Sequence, residues 1–155
     1  MGVTQKQREN FNRFPVPSSQ AEQFGGGPGD IHSQQGCLVG IYDVAVDGGA
    51  VGTITPKEGF TIPDNAIITK AYFEIITAFA SAGGAGTIAL QLQSAGDLLA
   101  AVDADTLSGI VAGVPVGSAA TMIKLTAQRS LAVVVAVEAL TAGKARIFAE
   151  WVQSE

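Results

Sequence analysis

The sequence predicts an all-β fold: an antiparallel β-sandwich or jelly roll of about eight strands, preceded by an extended N-terminal arm. Three observations lead there. The texture of the chain breaks near Gly36, from a polar Gly/Pro/Gln-rich stretch to dense Ala/Val/Ile/Thr/Gly sequence. Beyond the break, apolar residues recur with period two in short runs. Clusters of Gly, Pro, Asp and Asn punctuate those runs, and no helical period lasts longer than one turn. Residues 1–36 are therefore assigned to the arm and its Gly-rich linker, and residues 37–155 to the sandwich, a length sufficient for two packed sheets.

In the arm, Pro15 and Pro17 impose an extended path locally, and Gly25-Gly26-Gly27-Pro28-Gly29 is a flexible break. The arm reads either as a disordered tail or as a segment whose Phe11, Phe14 and Phe24 insert into pockets of an adjacent subunit, since a plain linker rarely carries aromatics at this density.

The first strand of the domain is read as Leu38 to Val46, closed by the turn Asp47-Gly48-Gly49. Val51 to Ile54 and Phe60 to Ile62 are short strands, the second stopped by Pro63-Asp64-Asn65. Ala66 to Phe79 is the longest, with its odd positions mostly apolar and its even positions partly wet. The turn of residues 81–86 then leads into a returning strand with Ile88, Leu90 and Leu92 on one face, and the pair reads as a hairpin. Asp97 to Ser108 fits either a helical turn capped by Asp97 or a crossing between sheets. Gly113 and Pro115 make residues 111–117 an edge segment or a loop. Met122 to Thr126 is a strand. Ser130 to Leu140 follows, with Leu131, Val133, Val135 and Val137 on one face. After Thr141-Ala142-Gly143, the residues Ala145, Ile147, Ala149 and Trp151 alternate with Lys144, Arg146, Phe148 and Glu150.

Charge and composition exclude several function classes. Charged residues make up 15% of the chain, against about 25% in ordinary domains, which suits a surface covered in part by partners. The net charge of −5 comes from the domain, with six basic and eleven acidic residues after Gly36 and three of each before it. With no basic stripe, a nucleic-acid partner is not expected. No run approaches the roughly 18–20 apolar residues of a membrane span, and MGVTQKQREN lacks the apolar core of a secretory signal. Lys6 stands where a myristoylation signal needs Ser or Thr. Cys37 is the only cysteine, so the fold needs no disulfide, in keeping with synthesis in a reducing cytoplasm.

Catalytic equipment is sparse. His32 is the only histidine, so a jelly-roll metalloenzyme lacks its imidazoles and Cys37 lacks a partner in the domain to form a thiolate. Cys37 reads as a buried strand cysteine. His32 and Cys37, five residues apart beside a flexible loop, make a poor metal pair. Asp97, Asp103 and Asp105 lack calcium-loop spacing and read as turn caps. The glycine run is followed by no Lys-Ser/Thr and opens no helix, so it is not a phosphate loop. Trp151 alternates with Ile147 and Ala149 and belongs to the core. No catalytic residue, metal or cofactor is expected.

The segments YDVAVDGGAVGTITP, IPDNAIITKAYFEIITAFASAGGAGTIALQLQSAGDLLAAV and GVPVGSAATMIKLTAQRSLAVVVAVEALTAGKARIFAEW resemble tailed-bacteriophage capsid decoration (cement) proteins, over roughly residues 40–152. The resemblance implies a non-enzymatic virion protein on the phage head, a homotrimer that binds the major capsid protein and bridges capsomers. It implies a capsid contact through the arm, led by Phe11, Arg13, Phe14 and Phe24, and self-association through small-residue strand faces. The alternative is a receptor- or glycan-binding module of a head fibre or tail, using Asp103, Asp105 and Trp151.

Overall fold

The computed structural model describes residues 35–154, which form two facing antiparallel sheets around one apolar core. In chain order the elements are β1 (Gln35–Asp43), the helical turn α1 (Val44–Asp47), β2 (Gly52–Ile54), β3 (Thr61–Ile62), β4 (Ala66–Ser81), β5 (Thr87–Gln91), β6 (Leu99–Asp103), β7 (Ile110–Val116), β8 (Ile123–Lys124), β9 (Arg129–Ser130), β10 (Ala132–Ala136) and β11 (Leu140–Gln153). One sheet has the order β1-β11-β4-β7, with β8 also paired to β4; the other runs β2-β10-β5-β6; β3 and β9 form a small separate pair.

Apart from the three two-residue strands, eight strands remain, four to a sheet. The chain alternates between the sheets at every connection except β5 to β6, which is the connectivity of a jelly roll. This corrects the hairpin expectation. β4 and β5 do not pair; residues 82–86 carry the chain from one sheet to the other, as residues 137–139 do between β10 and β11. Period-two alternation says which side chains face inward, and it reads the same whether the next strand lies beside or across.

Other departures have local causes. Val44–Asp47 turns helical because the Asp43 carboxylate accepts from the Ala45 amide and the Asp47 carboxylate accepts from the Asp43 amide. Asp97 does not start a helix. Its carboxylate accepts from the amides of Leu92, Gln93 and Ser94, tying the β5–β6 turn, and residues 99–103 are a strand. The 3-10 turn comes later, at Ala104–Thr106, capped by Asp103. β4 changes face midway. Ala66 and Ile68 point into the core, then Ala71 and Phe73, because Glu150 pairs with Lys70 and Trp151 with Ile68, leaving Thr69 as an extra residue. Thr69 uses its hydroxyl to donate to the Glu150 carbonyl. β7 is an edge strand, as Gly113 and Pro115 predict.

The core joins Tyr42, Phe73, Ala145 and Ile147 of the first sheet to Ile88, Leu90, Val133 and Val135 of the second. The void lined by Tyr42, Phe73, Ile88, Leu90, Ala145 and Ile147 measures about 10 Å³, room for one water at most, so the sheets are closely packed there. Tyr42 and Phe79 stack at 6.0 Å beneath the loop end, and the Tyr42 hydroxyl donates to the Gly48 carbonyl at 2.8 Å. Burial first, and then the nearby Asp47 carboxylate, push the Tyr42 phenol up to about 12.

Candidate interaction face

The outer face of the β1-β11-β4-β7 sheet carries chemistry that the core does not use. Register places Val39, Phe148, Tyr72 and Ala112 side by side across all four strands. Tyr72 and Phe148 stack with ring centroids 4.7 Å apart and planes 11° from parallel. On one side the next row is Cys37, Glu150, Lys70 and Val116; on the other it is Ile41, Arg146, Glu74 and Ile110. Alternation along the edge strand β7 turns Ile110, Ala112, Val114 and Val116 outward. Ile110 is 77% exposed, Val116 53% and Val39 50%.

Four of the six charged side chains on these rows are paired. Arg146 pairs with Glu74 at 2.8 Å, Lys144 with Asp43 at 3.0 Å, and the Lys70 ammonium lies 5.7 Å from the Tyr72 ring centre. The Lys144 contact, followed by the Ala45 amide, holds the Asp43 carboxyl below its ordinary range. Desolvation, with the neighbouring Cys37 and Glu150, raises the Tyr72 phenol. Along the four strands Lys70, Lys144 and Arg146 stand against Asp43, Glu74 and Glu150, and Lys124 of β8 beside Ile67 and Glu58 beside Ile41 add one charge of each sign at the edges, so the face is balanced on a domain that is net acidic. At its rim a cleft of about 260 Å³ is lined by Gly36, Cys37, Thr69, Glu150, Trp151 and Val152.

Cys37 is exposed on this face, which corrects the expectation of a buried cysteine: Leu38, Gly40 and Tyr42 take the inward positions of β1. Trp151 packs against the core as expected, and its indole Nε1 is shielded from solvent without an acceptor among the described residues. The outer face is also not lined by small residues, since Tyr72, Phe148 and Ile110 dominate it. Neighbouring-row pairing is what assembled this surface, and strand patterns one at a time did not reveal it.

Phe11, Arg13, Phe14, Phe24 and His32 lie outside the described residues. Asp105 accepts from the Ser81 hydroxyl at 2.6 Å and the Ser81 amide at 3.1 Å, contacts that lower its carboxyl. Asp103 caps the turn before it. These aspartates sit beside Ser81 at one end of β4, while Trp151 pairs with Ile68 near the other end. The structure therefore does not bring Asp103, Asp105 and Trp151 together. Among the described residues no group of three or more His, Cys, Asp or Glu side chains is placed to hold a metal, and no helix is long and apolar enough to cross a membrane.

No protein-family profile matches this sequence, and no curated protein matches it. Solved structures do share the fold. One similar chain belongs to the acidic stable capsid structure of Helicobacter pylori bacteriophage KHP30 (TM-score 0.57, 9% identity, 81% of this chain and 92% of that one covered). Another belongs to the capsid of Ralstonia phage GP4 (TM-score 0.54, 16% identity, 83% and 90% covered). A third is in the cyanophage Pam1 capsid asymmetric unit (TM-score 0.56, 16% identity, 90% and 99% covered). At these identities the likeness is one of fold, and it extends over nearly the whole length of each of those chains.

Proposed function

We propose that this chain is a structural virion protein of a tailed phage, a cement protein that binds the outer surface of the head and stabilises contacts between capsomers. The observation that carries this reading is the jelly roll itself, whose architecture matches chains of three phage capsid structures almost from end to end. A closely packed core and an outer sheet face with an aromatic row between balanced charges agree with a role in assembly. The partners are the major capsid protein and further copies of the chain, as a homotrimer, and catalysis has no part.

The arm supplies the capsid contact. Phe11, Phe14 and Phe24 bury in grooves of the neighbouring capsid subunit, and Arg13 pairs with a capsid carboxylate. Several weak contacts on one tether reinforce each other, so saturation of the head follows from modest single-site affinity. Incubating the full chain with heads that lack it, then pelleting the heads, tests this. The wild-type chain co-sediments to a fixed stoichiometry. The variant Phe11→Ser/Phe14→Ser/Phe24→Ser, with an unchanged circular-dichroism spectrum, stays in the supernatant; equal binding by that variant would contradict the arm contact. The glycan-binding alternative loses its constellation, because its aspartates and its tryptophan sit at opposite ends of β4 and its neighbour β11.

A further inference from the structure

We infer that the outer face of the β1-β11-β4-β7 sheet is a self-association surface, and that its occupant is a second copy of this chain. The inference deepens the virion reading, in which copies assemble, by assigning the surface they use.

Charge selects the occupant. The chain is net −5, and two copies repel wherever acidic surfaces meet. On this face cations and anions balance, four of each when Lys124 and Glu58 at the edges are included, with Arg146–Glu74 and Lys144–Asp43 already bonded within the sheet. A second copy can approach here with little net charge to oppose it, and four of the six charged side chains on the central rows are already paired within the sheet. The Val39–Phe148–Tyr72–Ala112 row between the charged rows supplies the apolar contact. Ile110 and Val116 extend it along β7.

Size agrees. Four strands about 4.8 Å apart and about nine residues long at about 3.3 Å each span roughly 600 Å². That approaches the roughly 800 Å² per partner of a standard interface, with loops at the rim adding the remainder. Aromatic residues at the centre and charged pairs outside them follow the usual anatomy of such contacts.

Cys37 provides a readout that needs no substitution, because the only cysteine of the chain lies exposed on this face. The rate at which a maleimide alkylates Cys37 in the full-length protein is measured while protein concentration is raised and mass is followed by light scattering. A several-fold fall in rate that tracks the rise above the single-chain 15.8 kDa supports the inference. A rate that stays constant while the mass rises overturns it, because copies then meet elsewhere. A mass of one chain at every concentration also overturns it.

The variant Val39→Glu/Ile110→Glu, at positions 50% and 77% exposed, is expected to lose the oligomer while keeping its circular-dichroism spectrum. Thr53→Glu on the other sheet, also exposed, is expected to keep it, and equal loss in both overturns the assignment. Head binding is a separate experiment. A chain that oligomerises through this face but ignores heads defeats the cement reading and leaves this surface standing.

Discussion

Tyr42, Asp105 and Val137 show how much single positions carry. The Tyr42 phenol titrates near 12 in the folded chain and near 10 unfolded, so its contribution is complete below pH 10 and disappears as pH rises through 12. Tyr42→Phe should lower stability near neutral pH by about 1 kcal/mol, the worth of a buried hydrogen bond. It should also flatten the alkaline limb of a melting-temperature profile. Asp105 has the opposite sign. Its folded-state carboxyl is held below 3.8 by Ser81, so its contribution is present above that value and is lost as pH falls beneath it. Ser81→Ala should therefore weaken the chain above pH 4 and make the acid limb shallower, measured by melts between pH 2 and 7. Val137 sits at φ 68 and is 71% exposed. A β-branched residue there is strained and gains little from burial. Val137→Asn should raise stability by up to about 1 kcal/mol, a shift of a few degrees in the melt. Alternation along β10 placed Val137 with Leu131, Val133 and Val135, and nothing in that pattern shows that the chain turns left-handed one residue after the strand ends.

At the scale of elements, inward faces were legible and neighbours were not. Ala145, Ile147 and Ala149 point into the core as their alternation predicts, and β7 is an edge strand for the reasons its Gly113 and Pro115 give. β4 looked uniform along its odd positions because Ile67 and Ile68 are both apolar, which hides the bulge at Thr69. The expected hairpin of β4 and β5 became a crossing between sheets because long-range pairing decides a sandwich, and local pattern carries no record of it. The first residues of β11 carry a bulge against β4, between Ala142 and Lys144. Gly143 has φ 138, and a Cβ there would land in the ring of Phe79, the partner of Tyr42 in the core stack. Gly143→Ala should destabilise the domain by roughly 1–3 kcal/mol, checked by chemical denaturation.

For the whole molecule, the fold class was readable from periodicity and from the Gly, Pro, Asp and Asn clusters between the strands. The interaction face was not. Val39, Phe148, Tyr72 and Ala112 are separated by dozens of residues and come together only through the β1-β11-β4-β7 order. Cys37 was misjudged for a related reason: its side depends on which parity of β1 faces the core, and that is set by Tyr42 packing on Phe79. The most direct test of the cement reading is to add the purified full-length chain to phage heads lacking it and to follow both co-sedimentation and the temperature at which the heads release DNA. The account predicts saturable binding and a release temperature that rises with occupancy. A chain that remains in the supernatant at saturating concentration, with the release temperature unchanged, would contradict it.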